Sequence, residues 1–143
     1  MRERRLTFPP RPGVLKQLRV RVRALATQMG VDEEGADRLA LVVDELVNNA
    51  IEHGAGYRQQ DLDLAIELHA FTEKMELTFF DREMPPESVQ ELARALSASA
   101  TGMPTLDSER GRGLFLMSIY LEDLRVDVAP DGGLRLVGTV QRR

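Results

Sequence analysis

Glu45 and Asn49 stand four residues apart within Leu41-Val-Val-Asp-Glu-Leu-Val-Asn-Asn-Ala-Ile-Glu-His-Gly54. On a helix that spacing stacks a carboxylate and an amide on one face, with Glu52 beside them. Such a carboxylate can orient or deprotonate a hydroxyl, and an amide oxygen is a hard ligand suited to a hard cation. Asp81 ends an apolar run immediately before a chain reversal. Gly111-Arg112-Gly113-Leu114 precedes another apolar stretch, where free backbone N–H groups at a helix entry favour an anion such as phosphate. Taken singly, each has a plainer reading: a solvated helix edge, a turn cap, a glycine turn. Their occurrence together, in this order, is more specific than any part.

The elements that must hold these residues follow from periodicity. Leu39, Val43, Leu46, Val47 and Ala50 recur at helical spacing, with Asp32 as N-cap, Glu33 and Glu34 in the first turn and Gly54 as the stop. A preceding helix is predicted from Pro12-Gly13 to about Met29, closed by Gly30, with Leu15, Leu18, Val22, Leu25 and Met29 on one face. Lys16, Arg19 and Arg23 share another face, either a wet flank or a partner surface. Leu6–Phe8 reads as an edge strand ended by Pro9-Pro10. After Gly56 the period becomes 2: Leu62, Leu64, Ile66 and Leu68 alternate with Asp61, Asp63, Ala65 and Glu67. A turn at Thr72-Glu73-Lys74 leads to a strand from Met75 to Phe80, paired antiparallel with the one before.

Met84-Pro85-Pro86 breaks the chain, and a short helix is predicted from Ser88 to Leu96. Ser97-Ala-Ser-Ala-Thr-Gly-Met-Pro104 reads as a lid or a bare linker, and Leu114 to Leu121 as helix. Strands at Leu124–Val128 and Leu134–Val140 flank Asp131-Gly132-Gly133, a hairpin signal because glycine supplies positive φ. This order predicts an α+β fold: one domain over 1–143, a two-layer sandwich with helices on one face of a mixed, mainly antiparallel sheet.

Composition narrows the chemistry. A chain of 143 residues with 43% apolar content supports one core. The absence of cysteine excludes thiol nucleophiles, cysteine zinc sites and disulfide scaffolds, and His53 and His69 are too few for a histidine-built metal centre. No apolar leader or membrane-length run is present, so a cytoplasmic protein without membrane contact is expected. Net charge is −4, split into +7 over residues 1–23 and −11 over the remainder. The basic segment lacks interleaved aromatics and the acidic body repels phosphate backbones, so no direct nucleic-acid contact is expected. An acidic protein partner, or none, suits that segment better.

The motifs resemble those of the GHKL superfamily, whose Bergerat fold is the ATP-binding domain of histidine kinases. Within it the chain is similar to the anti-sigma-factor serine/threonine kinases. The first motif, Glu-x-x-x-Asn followed by Ala-Ile-x-His-Gly, stands here as Glu45, Asn49, Ala50, Ile51, His53 and Gly54. The second, Asp-x-Gly-x-Gly or Asp-x-Gly-x-Pro, stands as Asp81-Arg-Glu-Met-Pro85, and the third as Gly111-Arg-Gly113-Leu114. The resemblance implies ATP and Mg²⁺ as cofactors, with Asn49 a metal ligand and Glu45 the group that activates the acceptor hydroxyl. Asp81 would accept the adenine amine, Gly111, Arg112, Gly113 and Leu114 would line the phosphates, and residues 86–110 would form the ATP lid. It also implies a sigma factor and a STAS-type anti-anti-sigma protein as partners, the latter phosphorylated on serine or threonine, and a homodimer. The departure is Glu83, where the family has glycine. A carboxylate facing the cleft would weaken ATP binding; one facing away would leave it intact. The intact Glu45–Asn49 pair favours a kinase, the leading expectation, and Glu83 favours the alternative, a protein-binding regulator on the same fold with weak or lost ATP binding.

Overall fold

The computed structural model describes residues 2–100, 117 and 119–142. Its first two helices follow from caps and stripes already visible in the chain. Pro12, whose ring presets φ, opens a 3-10 turn (Pro12–Val14) that runs into α1 (Leu15–Gln28). Leu18, Val22 and Ala26 of α1 are buried, while Leu15 and Leu25 pack partly against the core. Asp32 then caps α2 (Glu33–Gly54), its carboxylate accepting from the Gly35 N–H at 2.7 Å. Ala36, Leu39, Val43, Leu46, Val47 and Ala50 form the buried stripe of α2. Arg19 and Arg23 of the basic face reach across to Asp44 and Asp37 of α2, at 3.5 and 2.8 Å. Being half exposed, these pairs add little stability.

Five strands form one sheet in the order β1 (Arg2–Phe8), β2 (Leu64–Ala70), β3 (Lys74–Asp81), β5 (Leu134–Gln141), β4 (Glu122–Val128). Every pairing is antiparallel, so the sheet is more uniform than the mixed arrangement expected. Leu6 and Phe8, Ile66 and Leu68, Leu77 and Phe79, and Leu134 and Leu136 enter one core with the helical stripes. The outer face carries polar pairs such as Arg5–Glu67 and Arg135–Asp127. Alternation also explains the burial of Asp81. It follows Met75, Leu77 and Phe79 on the inward phase of β3, and at 0% exposure it is as enclosed as they are.

Two differences from expectation concern the segment after Pro85. Helix α3 (Pro86–Ala100) is longer than the expected Ser88–Leu96, because alanine is a good helix former and this serine-alanine tract has no breaker before Gly102. Val89, Leu92 and Leu96 are buried, so this part of the expected lid is packed helix. The rest of that lid, 101–110, lies outside the described residues, as do Gly111, Arg112, Gly113 and Leu114. Of the helix expected at Leu114–Leu121, four residues are described: Met117, Ile119 and Tyr120 are helical and Leu121 is not. Among the described residues, no helix is long and apolar enough to cross a membrane.

The β4–β5 turn presses on the end of β3. Gly132 and Gly133 have φ of +96° and +84°. A Cβ at Gly133 would strike the Asp81 carbonyl oxygen and the Arg82 backbone, whereas one at Gly132 meets open space. Gly133→Ala should therefore cost about 2 kcal/mol or more, from strain plus a backbone clash. Gly132→Ala should cost about 1 kcal/mol, from strain alone. Urea unfolding of the two variants measures the difference; equal losses would show that the turn does not bear on β3.

Candidate functional site

One face of α2 meets Met117 and Tyr120, and Phe79 of β3 joins α2 and Met117 around a second cavity. Glu45 and Asn49 lie one turn apart on α2 and are half-buried. Glu45 lines a cavity of about 170 Å³ with Leu41, Val42, Asp44, Met117 and Tyr120. Asn49 lines the next cavity along the helix, and Met117 borders both. Burial among these apolar groups, then repulsion from Asp44 and Glu52, raises the pKa of Glu45 above the ordinary glutamate range. A carboxylate shifted upward is a stronger base toward a hydroxyl than a free one.

The cavity beside Asn49 is small and mostly apolar. Leu46, Ala50, His53, Phe79, Met84, Leu92, Leu134 and Leu136 complete its wall, and its volume is about 20 Å³. That is room for about one water, far less than a planar base needs. Asp81 is not among its lining residues. A wider cleft of about 410 Å³ between α3 and β4 carries Asp123 as its one ionisable lining residue among the described residues.

Asp81 is held from its other side by residues that sequence reasoning passed over. Its Oδ2 accepts from the Tyr57 hydroxyl and from Arg58 Nη2, both at 2.8 Å. Its Oδ1 accepts from Arg58 Nη1 at 3.1 Å and from the Glu83 N–H at 3.2 Å. A carboxylate has about four acceptor sites, so these four bonds fill it. Arg58 is equally committed: Nη1 also donates to Glu83 Oε2 at 3.2 Å, and Nη2 to the Ala50 carbonyl at 3.1 Å. The side chains of Asp81, Arg58 and Glu83 are 1%, 7% and 8% exposed.

This arrangement decides which way Glu83 faces. Its carboxylate accepts from the backbone N–H groups of Gln59, Gln60 and Leu62 at 2.8–3.0 Å and pins the link between α2 and β2. Burial alone would raise its pKa. The three backbone donors and Arg58 outweigh that, and the net shift is downward. Burial likewise opposes the charge on Arg58, yet Asp81 and Glu83 raise its pKa further. The signal in the sequence was a pair: a buried acid where a glycine is expected, and one arginine shortly after Gly54-Ala-Gly56 able to neutralise it.

Comparison with known proteins places this geometry. Residues 8–137 match the family described as Histidine kinase-like ATPase domain. The chain is 25% identical over 119 residues to the anti-sigma F factor of Clostridium novyi (strain NT), covering 83% of this chain and 80% of that protein. Its fold is similar to a chain in the crystal structure of the SiaB–SiaC complex from Pseudomonas aeruginosa. There the TM-score is 0.72 and the identity 14%, covering 96% of this chain and 88% of that one.

The downward shift at Glu83 has a defined sign. A carboxylate with a depressed native pKa stabilises fully above the ordinary glutamate range, and that stability is lost as pH falls through the native value. Glu83→Gln removes the titration. The stability gap between the native chain and this variant should be widest near neutral pH and narrow on acidification, as read by urea unfolding across an acid series. A gap independent of pH would mean that the charge of Glu83 is not engaged.

Proposed function

This chain belongs to the histidine kinase-like ATPase domain family, and from that premise we propose an ATP-dependent serine/threonine kinase and anti-sigma factor of a partner-switching system. The observation that supports the reading most is the face of α2, where Glu45, with its raised pKa, and Asn49 line neighbouring cavities one turn apart. In this proposal the acceptor is a serine or threonine on a STAS-type anti-anti-sigma protein, and the same molecule sequesters a sigma factor, as a homodimer in the cytoplasm. The similarity to an anti-sigma F factor supports that choice of partners.

Glu45 holds the acceptor hydroxyl and takes its proton, the upward shift of its pKa suiting it to that task. Leu41, Val42, Met117 and Tyr120 limit water around it, which strengthens every charge interaction in the cavity. Asn49 supplies an amide oxygen, a donor that fits Mg²⁺, and a bound Mg²⁺ would offset phosphate charge during transfer. Gly111, Arg112, Gly113 and Leu114 are proposed as the phosphate loop, and Asp81 as the acceptor of the adenine amine, a role that requires it to give up one of its bonds to Tyr57, Arg58 or the Glu83 N–H.

A second reading is favoured by a different observation. The cavity beside Asn49 has a volume of only about 20 Å³ and the acceptor sites of Asp81 are filled. A protein-binding regulator with weak or lost ATP affinity needs no more than the fold and its surfaces.

Glu45→Ala separates these readings. For a kinase, transfer of labelled phosphate from ATP to the anti-anti-sigma protein should fall by about 10²-fold or more while ATP affinity stays nearly constant. ATP with Mg²⁺ should also raise the melting temperature of the native chain by mass action. Absence of transfer by the native chain, with partner capture intact, would establish the regulator instead.

A further inference from the structure

We infer that the cavity beside Glu45 is a recognition site for a lysine or arginine side chain of the protein partner, and that Asp44 is the residue that reads its charge. The inference rests on the kinase reading above and names a feature of the acceptor protein: as its hydroxyl comes to Glu45, a basic side chain comes to Asp44.

At the end of β3 every acceptor site of Asp81 is filled. Asp44 is left in a different condition. Its side chain is only 22% exposed, and its Oδ1, out of contact with solvent, accepts from no described residue. Its Oδ2 faces the Arg19 guanidinium at 3.5 Å, well beyond the length of a charge-assisted hydrogen bond, and Arg19 is itself half exposed. A buried acceptor without a donor carries its full desolvation penalty, and a guest that donates to it removes that penalty. The terminal torsion of an aspartate is soft, so the carboxylate can turn toward such a guest.

The walls of the cavity specify what kind of donor fits. Asp44 and Glu45 supply negative charge, while Leu41, Val42, Met117 and Tyr120 supply a mainly apolar lining, around a volume of about 170 Å³. A cavity of about 150 Å³ holds a benzene molecule, so there is room here for one side chain. A hydrocarbon stem with a cationic head matches both parts of the lining. A hard metal ion asks instead for about six oxygen ligands, which two carboxylates in an apolar wall do not provide. Leu41 is half exposed and carries the wall out to solvent, where a protein can cover it. The arrangement also suits the chemistry. A base must be ionised to take a proton, and burial, then Asp44 and Glu52, disfavour the charge on Glu45. A cationic head beside Asp44 offsets that repulsion.

The test is titration of the full chain with n-propylguanidinium chloride, an arginine side chain cut at its β carbon, and with its uncharged analogue n-propylurea, at matched ionic strength. Amide NMR shifts of Leu41 to Glu45 and of Tyr120 report binding, and the same spectra show that each variant is folded. The native chain should bind the cation about tenfold or more tightly than the urea, and Asp44→Asn should remove that advantage. Glu33→Gln, which takes an exposed charge from the first turn of the same helix, should keep it. An equal response to cation and urea, an unchanged advantage in folded Asp44→Asn, or the same loss in Glu33→Gln would overturn the inference. So would shifts reproduced by MgCl₂, which would make a metal ion the occupant. Phosphate transfer to the anti-anti-sigma protein that saturating n-propylguanidinium does not slow would overturn it too, with the kinase reading left standing. Cation binding that depends on Asp44, in a chain that transfers no phosphate, would uphold the recognition site and remove the kinase reading.

Discussion

A single buried charge sets the terms for this end of the molecule. Period-2 alternation carries Asp81 to the inner face of β3, where water cannot reach it, and an isolated carboxylate there would be costly by several kcal/mol. Arg58 removes that cost by leaving its loop and passing beneath the last turn of α2. The solution propagates. A second acid, Glu83, becomes tolerable because the cation is already present, and its carboxylate ties down the amides of the link that brings Arg58 in. Strand end, helix end and connecting loop are thus one electrostatic unit, with each group nearly filled by the others.

The two halves of the candidate cleft are consequently different in character. Around Glu45 the wall includes the half-exposed Leu41, and partial burial with Asp44 and Glu52 nearby raises the pKa of its carboxylate. Around Asp81 charge is compensated and enclosed. The same fold holds a carboxylate of raised pKa midway along α2 and a charge-compensated one at the end of β3. The difference comes from neighbours, since both are ordinary acids on regular elements.

The fold was largely legible because its signals are local. Asp32 capping, the stripe from Leu39 to Ala50, the switch to alternation at Leu64 and the glycines before Leu134 each require only nearby residues to interpret. Where expectation fell short, the cause lay in contacts distant in sequence. The uniformly antiparallel sheet depends on β5 inserting beside β3, which no local pattern records. The orientation of Glu83 depends on Arg58, 25 positions away in the chain. A motif scan weighs Glu83 as a lost glycine; only the pairing shows it as half of an ion network. The longer α3 has a simpler source, since small polar residues were read as linker although their propensities permit helix.

The position of β5 also has a bearing on biogenesis. It is later in sequence than either strand it joins, yet it sits inside the sheet between β3 and β4. Polypeptides emerge from the ribosome N-terminus first. A nascent chain that already displays β1 to β3 therefore exposes a raw inner edge, with Asp81 at its tip, until the last described strand arrives. During that interval the unfinished sheet is a template for wrong pairing. A chaperone that shields the open side of β3 would thus protect the same strand end on which the mature molecule settles its most deeply buried charge.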